Sequence, residues 1–156
     1  MNLLVALAVS ITVLVIGWVY VSLGIPGLGL VVWAGVIGWG SFYAAGGGLD
    51  GAKKAILGNL SGAIWAFVAL AAFGLVGGGI PVLAVIFGLA AGMMVLQAKI
   101  PLLGFIPGAF FGAATWVGAG GGGAISDKGL MILASLVIGA ALGYVSEAIG
   151  KKMAKA

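Results

Sequence analysis

The chain has 156 residues; 63% are hydrophobic, 31 are glycine and 6% are charged. A soluble domain carries about a quarter charged residues, so a water-soluble globule is excluded, and so is disorder, which requires low hydrophobicity. With no His, Cys or Arg, the chain has no His-dependent catalysis, no zinc or haem ligation through His or Cys and no disulfide; its formal charge of +4 comes from seven Lys against Asp50, Asp127 and Glu147.

A helix needs about 20 mainly apolar residues to cross the hydrocarbon core. Six such runs follow one another, at roughly 3–23, 28–45, 55–75, 79–97, 102–118 and 129–149, none with a charge near its middle. The breaks between them are Gly24-Ile25-Pro26-Gly27, Gly46-Gly47-Gly48, Gly77-Gly78-Gly79, Lys99-Ile100-Pro101 and Gly120 to Gly123. Gly and Pro clusters of this kind are the strongest local punctuation. The first run is too long for a signal-peptide core and lacks a basic start, so it reads as a retained helix. The runs are continuously apolar rather than alternating, which favours helices over barrel strands.

The lysines serve as a topology ruler. If all six runs cross, the N-terminus, Lys53, Lys54, Lys99 and the tail with Lys151, Lys152 and Lys155 share one side, and Lys128 alone lies on the other. Positive charge in short loops marks the cytoplasmic side, so both termini are expected there. The runs 28–45 and 102–118 are short and glycine-rich; were both to stop short of crossing, this asymmetry would fall from six against one to four against three.

The halves resemble each other. Ile25-Pro26-Gly27-Leu28-Gly29 recurs 75 residues later as Ile100-Pro101-Leu102-Leu103-Gly104. At an offset of 74, Gly38 matches Gly112, Ser41 faces Thr115 and Phe42 faces Trp116. At 77, Gly58, Gly62 and Ala66 match Ser135, Gly139 and Gly143, and Asp50 falls on Asp127. The expected fold is an all-α integral membrane protein of one domain, 1–156. Its six transmembrane helices form a 3+3 inverted repeat, about 1–75 and 76–150, with a basic tail at 151–156. An odd number of crossings per unit forces opposite orientation and places a solute site near the midplane at the repeat interface.

Small residues four apart share a helix face and allow close backbone approach in lipid. The lines Gly58, Gly62, Ala66 and Ser135, Gly139, Gly143 are therefore expected in helix packing or subunit contact. Polar groups at depth usually face the bundle interior or a wet cavity. Ser41, Asn59, Ser61, Thr115 and Ser135 are the solute-path candidates, although Ser and Thr can also bond back to their own helix. The aromatics Trp39, Phe42, Tyr43 and Trp116 complete that set as a constriction, with packing or an interfacial belt as the plainer reading; Trp18 and Tyr20 fit a belt. Glu147 and Lys151 have the spacing of a helix ion pair. The run Gly118 to Gly123 lacks the ending of a phosphate-binding loop and reads as a flexible loop.

Trp33-Ala34-Gly35, Phe42-Tyr43-Ala44, Gly47-Gly48-Leu49-Asp50-Gly51, Ser61-Gly62 with Trp65-Ala66, Gln97-Ala98-Lys99 and Pro107-Gly108-x-Phe110-x-Gly112-Ala113 together resemble a family of small bacterial inner-membrane proteins known as domain of unknown function 1097. The resemblance spans nearly the whole chain. It implies an integral inner-membrane protein and supplies no activity or site to transfer. With no convergent catalytic groups, the chain is not expected to be an enzyme or to hold a metal or cofactor. The expected function is a channel or facilitator for a small neutral or weakly polar solute, in the lipid bilayer, as a homo-oligomer, with no nucleic-acid partner. A secondary transporter and a non-transporting scaffold are the alternatives.

Overall fold

Glycine and proline set the helix boundaries. The computed structural model describes residues 1–155. Six α-helices run in chain order: α1 (Leu3–Gly24), α2 (Val32–Ala44), α3 (Gly48–Val76), α4 (Gly79–Leu96), α5 (Ile106–Gly118) and α6 (Asp127–Lys155). There is no strand among the described residues. The Asn2 side chain accepts the Leu4 amide and starts α1. Gly46, Gly47 and Gly48 have φ of +100°, +70° and +63° at the α2–α3 turn, a region that costs an L residue about 1–2 kcal/mol at each position.

The second and fifth helices are shorter than their apolar runs. The Gly27 and Gly29 backbones, at φ +79° and +72°, keep the chain out of helical geometry until Val32. Two 3₁₀ turns, Gln97–Lys99 and Pro101–Leu103, delay α5 to Ile106, with Pro107 in its first turn. Thus α1, α3, α4 with its 3₁₀ extension, and α6 are long and apolar enough to cross a membrane. Helices α2 and α5 have 13 residues each, about 20 Å at 1.5 Å per residue, less than the roughly 30 Å of hydrocarbon. Their apolar runs continue as extended and turn backbone before the helix begins.

Each short helix lies on a long helix of the other half. α2 runs beside α6 in the same direction: Val31 donates its amide to Ser135, Gly35 abuts Gly139, Phe42 abuts Gly143, and Gly48 donates its amide to Glu147. α5 runs beside α3 likewise, with Phe105 against Gly58, Ala109 against Gly62 and Gly123 against Ala71. The closest approaches are reciprocal. A Cβ built on Gly62 would land on the Ala109 carbonyl, and one on Gly112 on the Asn59 carbonyl. In the other pair, Gly139 meets the Gly35 carbonyl and Gly38 the Leu136 carbonyl. The small-residue lines are thus consumed in packing within one chain.

α3 and α6 are antiparallel where they meet. Ala63 and Ala66 cluster with Trp116, Ile132 and Leu136, and Ala52 and Ala55 with Phe42 and Ala140. α1 flanks α6, with Leu7 against Gly150 and Ser10 donating to the Ser146 carbonyl at 2.9 Å. α4 flanks α3, held by a hydrogen bond from Trp65 to Gln97 at 2.9 Å.

Because the contact at Gly112 and Gly38 is backbone on backbone, a methyl group there forces two helices apart. Gly112→Ala and Gly38→Ala should each destabilise the purified protein by about 1–3 kcal/mol, as overpacking does. A Cβ added at Gly92 on α4 would meet nothing within 4 Å, so Gly92→Ala should be neutral or mildly stabilising. Thermal unfolding in detergent separates the two classes.

Candidate functional site

The middle of the bundle carries an isolated polar pair. Asn59, on α3, is fully buried. Its backbone carbonyl is pressed by Gly112 of α5, and its side-chain Oδ1 accepts the Ser41 hydroxyl of α2 at 3.1 Å. The Asn59 Nδ2 has no hydrogen-bond partner. A buried donor left unpaired costs about 1–3 kcal/mol. The pair lies between apolar clusters: Ala63, Ala66, Trp116, Ile132 and Leu136 on one side, and Phe42, Ala52, Ala55 and Ala140 on the other.

Two cavities lie toward opposite ends of the α3–α6 seam. One, of about 250 Å³, is apolar and lined by Ala63, Phe67, Trp116, Gly129 and Leu133, among others. The other, of about 220 Å³, is lined by Gly48, Leu49, Tyr144, Glu147, Ala148 and Lys151. The first also takes in Ile125 and Ser126, and these together with Phe67 stand 77 residues from Gly48, Leu49 and Tyr144. Along α6, Leu133 and Tyr144 are roughly 16 Å apart. Between them the seam is filled, with Phe42 packed edge-on to Tyr43 at 5.0 Å and to Tyr144 at 6.4 Å.

The polar residues expected along a solute path do not form one row. Ser41 and Asn59 meet each other. Trp39 and Tyr43 meet at Ser146 instead: the Trp39 indole N–H donates to its hydroxyl at 3.1 Å, and the Tyr43 hydroxyl lies 2.8 Å away. Thr115 bonds back to the Phe111 carbonyl at 2.7 Å, and Ser135 to the Met131 carbonyl at 2.7 Å while accepting the Val31 amide. Trp116 donates to the Gly122 carbonyl at 2.8 Å and pins the glycine loop rather than forming a ring. Ser61 faces outward from the seam, toward Gln97. Trp39, Phe42 and Trp116 are buried packing groups. Trp18, expected at the interface, is instead 5% exposed and donates to the Val32 carbonyl at 2.8 Å, because the α1–α2 crossing covers it; Tyr20 remains 76% exposed.

Three features escaped the sequence reading. Ser146 is a hub joining α1, α2 and α6, and the signal for it was its position three residues beyond Gly143 on the small-residue face. Glu147 pairs with Lys151 as the spacing predicts, and its other oxygen also accepts the Gly48 amide at 2.7 Å, which ties the start of α3 to α6. Gln97 and Trp65 form a bonded cluster with Ser61 that no spacing announces. Among the described residues, no group of three His, Cys, Asp or Glu is placed to hold a metal ion. The arrangement offers hydrogen-bond groups and apolar walls, which suit holding or passing a small molecule.

Comparison with known proteins agrees with the helical membrane architecture. A family model described as "Protein of unknown function (DUF1097)" matches residues 6–151. The chain is 37% identical to "Inner membrane protein YcdZ" of Escherichia coli (strain K12), over 96% of this chain and 87% of that protein. It is 35% identical to the protein of the same name from Salmonella typhimurium, over 96% and 89%. It is 31% identical to "Uncharacterized protein YahC" of Escherichia coli (strain K12), over 78% and 73%. No solved structure matches.

Asn59 stands opposite Leu136 at the 77-residue offset, and Ser41 can bond back to its own helix as Thr115 does. Asn59→Leu should therefore leave thermal stability unchanged or raise it by about 1 kcal/mol, since it removes the unpaired buried amide. Ser146→Ala should lower it by about 1–3 kcal/mol, because it leaves Trp39 and Tyr43 unpaired.

Proposed function

The chain belongs to the DUF1097 family of proteins of unknown function, and we propose that this member is a channel or facilitator for a small neutral or weakly polar solute. It is a helical inner-membrane protein. The observation that carries the channel reading is Asn59: a fully buried amide with a spare N–H, held by Ser41, on a closed seam with cavities toward both of its ends. In the proposed closed state Phe42 and the Ser41–Asn59 pair separate these cavities. When the seam opens, the free amide offers a hydrogen bond to a passing solute, and the apolar walls exclude hydrated ions. A narrow path selects by diameter and by the hydrogen-bond groups along it.

The proposed frame is a six-span, 3+3 inverted repeat with both termini in the cytoplasm. It is supported by the reciprocal glycine contacts, which map onto each other at the offsets of 74 and 77, and by the lysines. The small-residue faces expected in subunit contact are filled within the chain, so they offer no surface for a homo-oligomer. One observation favours a second reading. The filled seam between two cavities also suits a carrier that opens them alternately. The charged groups sit near helix ends or in the turns beside them, which gives proton coupling no group at depth.

Swelling of liposomes containing the pure protein, with urea, formamide, glycerol, ammonia and formate, tests the channel. At least one neutral solute should enter faster than into empty liposomes, and Asn59→Leu should abolish the excess while the protein stays folded. Entry of none would defeat the channel reading for that panel, and uptake that collapses with an uncoupler would favour the carrier. For the frame, a fluorescent reporter fused after Lys155 should fluoresce and a phosphatase fused there should be inactive; the reverse pattern would place the tail outside.

A further inference from the structure

A third cavity lies on the outer side of α3, next to the first seam cavity, with which it shares Ile64. It measures about 420 Å³ and is lined by Ser61, Trp65, Met93, Leu96, Gln97 and Ile100, among others. Its polar end is built. The Trp65 indole N–H donates to Gln97 Oε1 at 2.9 Å, Gln97 Nε2 donates to Ser61 at 2.9 Å, and Ser61 donates to the Gly58 carbonyl at 2.8 Å. This chain fixes the Gln97 amide and leaves one of its two N–H groups uncommitted. A fourth cavity, of about 220 Å³, shares Trp65 and Met93 with it and continues between α3 and α4 along Val68, Ala72, Ile86 and Leu89. Its lining is apolar throughout.

The dimensions of this cleft match one leaflet. From Gln97 back to Ile86 is eleven residues of α4 and its extension, roughly 16 Å at the helical rise, and half of a roughly 30 Å hydrocarbon core is about 15 Å. The charge nearest the polar end is basic, with Asp50 a turn beyond Lys54. Lys99 is exposed between the lining residues Gln97 and Ile100, and Lys54 is exposed two turns before Ser61 on the same helix face; no acidic residue lines either cavity. The other half of the chain lacks this arrangement. Ser22, Ile138 and Leu142 stand at the positions offset from Gln97, Ser61 and Trp65.

We propose that the α3–α4 cleft is a binding site for one anionic phospholipid. The headgroup phosphate takes the free Gln97 N–H and the Lys99 charge, and an acyl chain lies along Met93, Leu89 and Ile86 against Trp65 and Val68. Basic groups beside a cleft between membrane helices attract anionic headgroups, each contributing a modest, salt-sensitive increment. The site is separate from the Asn59 seam and stands whether or not the protein conducts a solute.

Native mass spectrometry of the delipidated full-length protein tests it, titrating phosphatidylglycerol and phosphatidylcholine of identical chains. The first phosphatidylglycerol should bind at least about five-fold more tightly than phosphatidylcholine, the effect of one basic group near a headgroup. Lys99→Ala, at an exposed position, should reduce that preference about five-fold. Gln97→Leu should weaken both lipids alike, because both carry the phosphate that its N–H would meet, while Ser22→Ala should leave both affinities unchanged. Equal binding of the two lipids by the wild-type protein would overturn the proposal, and so would an undiminished preference in folded Lys99→Ala or an undiminished affinity for both lipids in folded Gln97→Leu.

Discussion

The structure depends on four places where one helix backbone rests directly on another. Gly62 on Ala109, Gly112 on Asn59, Gly139 on Gly35 and Gly38 on Leu136 each leave no room for a methyl group. In lipid there is no hydrophobic drive between helices, because acyl chains are as apolar as leucine. Close approach supplies the missing attraction through dispersion, which falls away steeply with a gap of half an ångström to one ångström. That is why glycine, otherwise a poor helix former, occupies these points. The contacts also fix the register of both short helices, and register decides where Asn59, Ser41, Trp39 and Tyr43 come to lie.

The same contacts account for the distribution of polarity. The positions that map onto each other agree at the four contact glycines, Gly38 with Gly112 and Gly62 with Gly139, and differ at the polar sites. Asn59 stands where the other half has Leu136, and Gly58 where it has Ser135. Thr115 satisfies its hydroxyl on its own helix, while Ser41, its counterpart, reaches across to Asn59. A sequence-matched frame therefore carries an unmatched interior. The matched part supports packing, and the unmatched part holds the one buried amide with a spare donor in the described core.

Much of the frame was legible in the sequence. Continuous apolar runs between glycine clusters gave the helices, and the lines at 58, 62, 66 and 135, 139, 143 gave the packing faces. The starts of α2 and α5 were not legible, because Leu28 and Leu102 are as apolar as the helices they precede, and hydropathy cannot distinguish extended from helical backbone. Gly27 and Gly29 held that information in their positive φ, which the composition permits without requiring. The candidate site was legible in part. Asn59 stands out in the sequence because an amide in hydrocarbon is costly, and it is, with the Ser22 hydroxyl, one of two buried side chains left with an unpaired polar atom among the described residues. Thr115 and Trp116 stand out on the same argument but satisfy themselves locally, and Ser135 donates to its own helix while accepting the Val31 amide. Single-residue polarity does not reveal whether an acceptor lies four residues back or on another helix.

Ser146 shows how that distinction is made. It lies on the same face as Gly143, where the absence of side chains brings α2 close enough for Trp39 and Tyr43 to reach a hydroxyl on α6. A serine in the same helix on a face with larger neighbours would have bonded only to its own backbone. Glu147, one residue on, extends the effect, because its carboxylate accepts the Gly48 amide at the turn between α2 and α3. Glycine spacing thus determines which polar side chains act between helices and which act within one. For a chain with 6% charged residues, that geometric selection is what turns a sparse set of hydroxyls and amides into specific contacts.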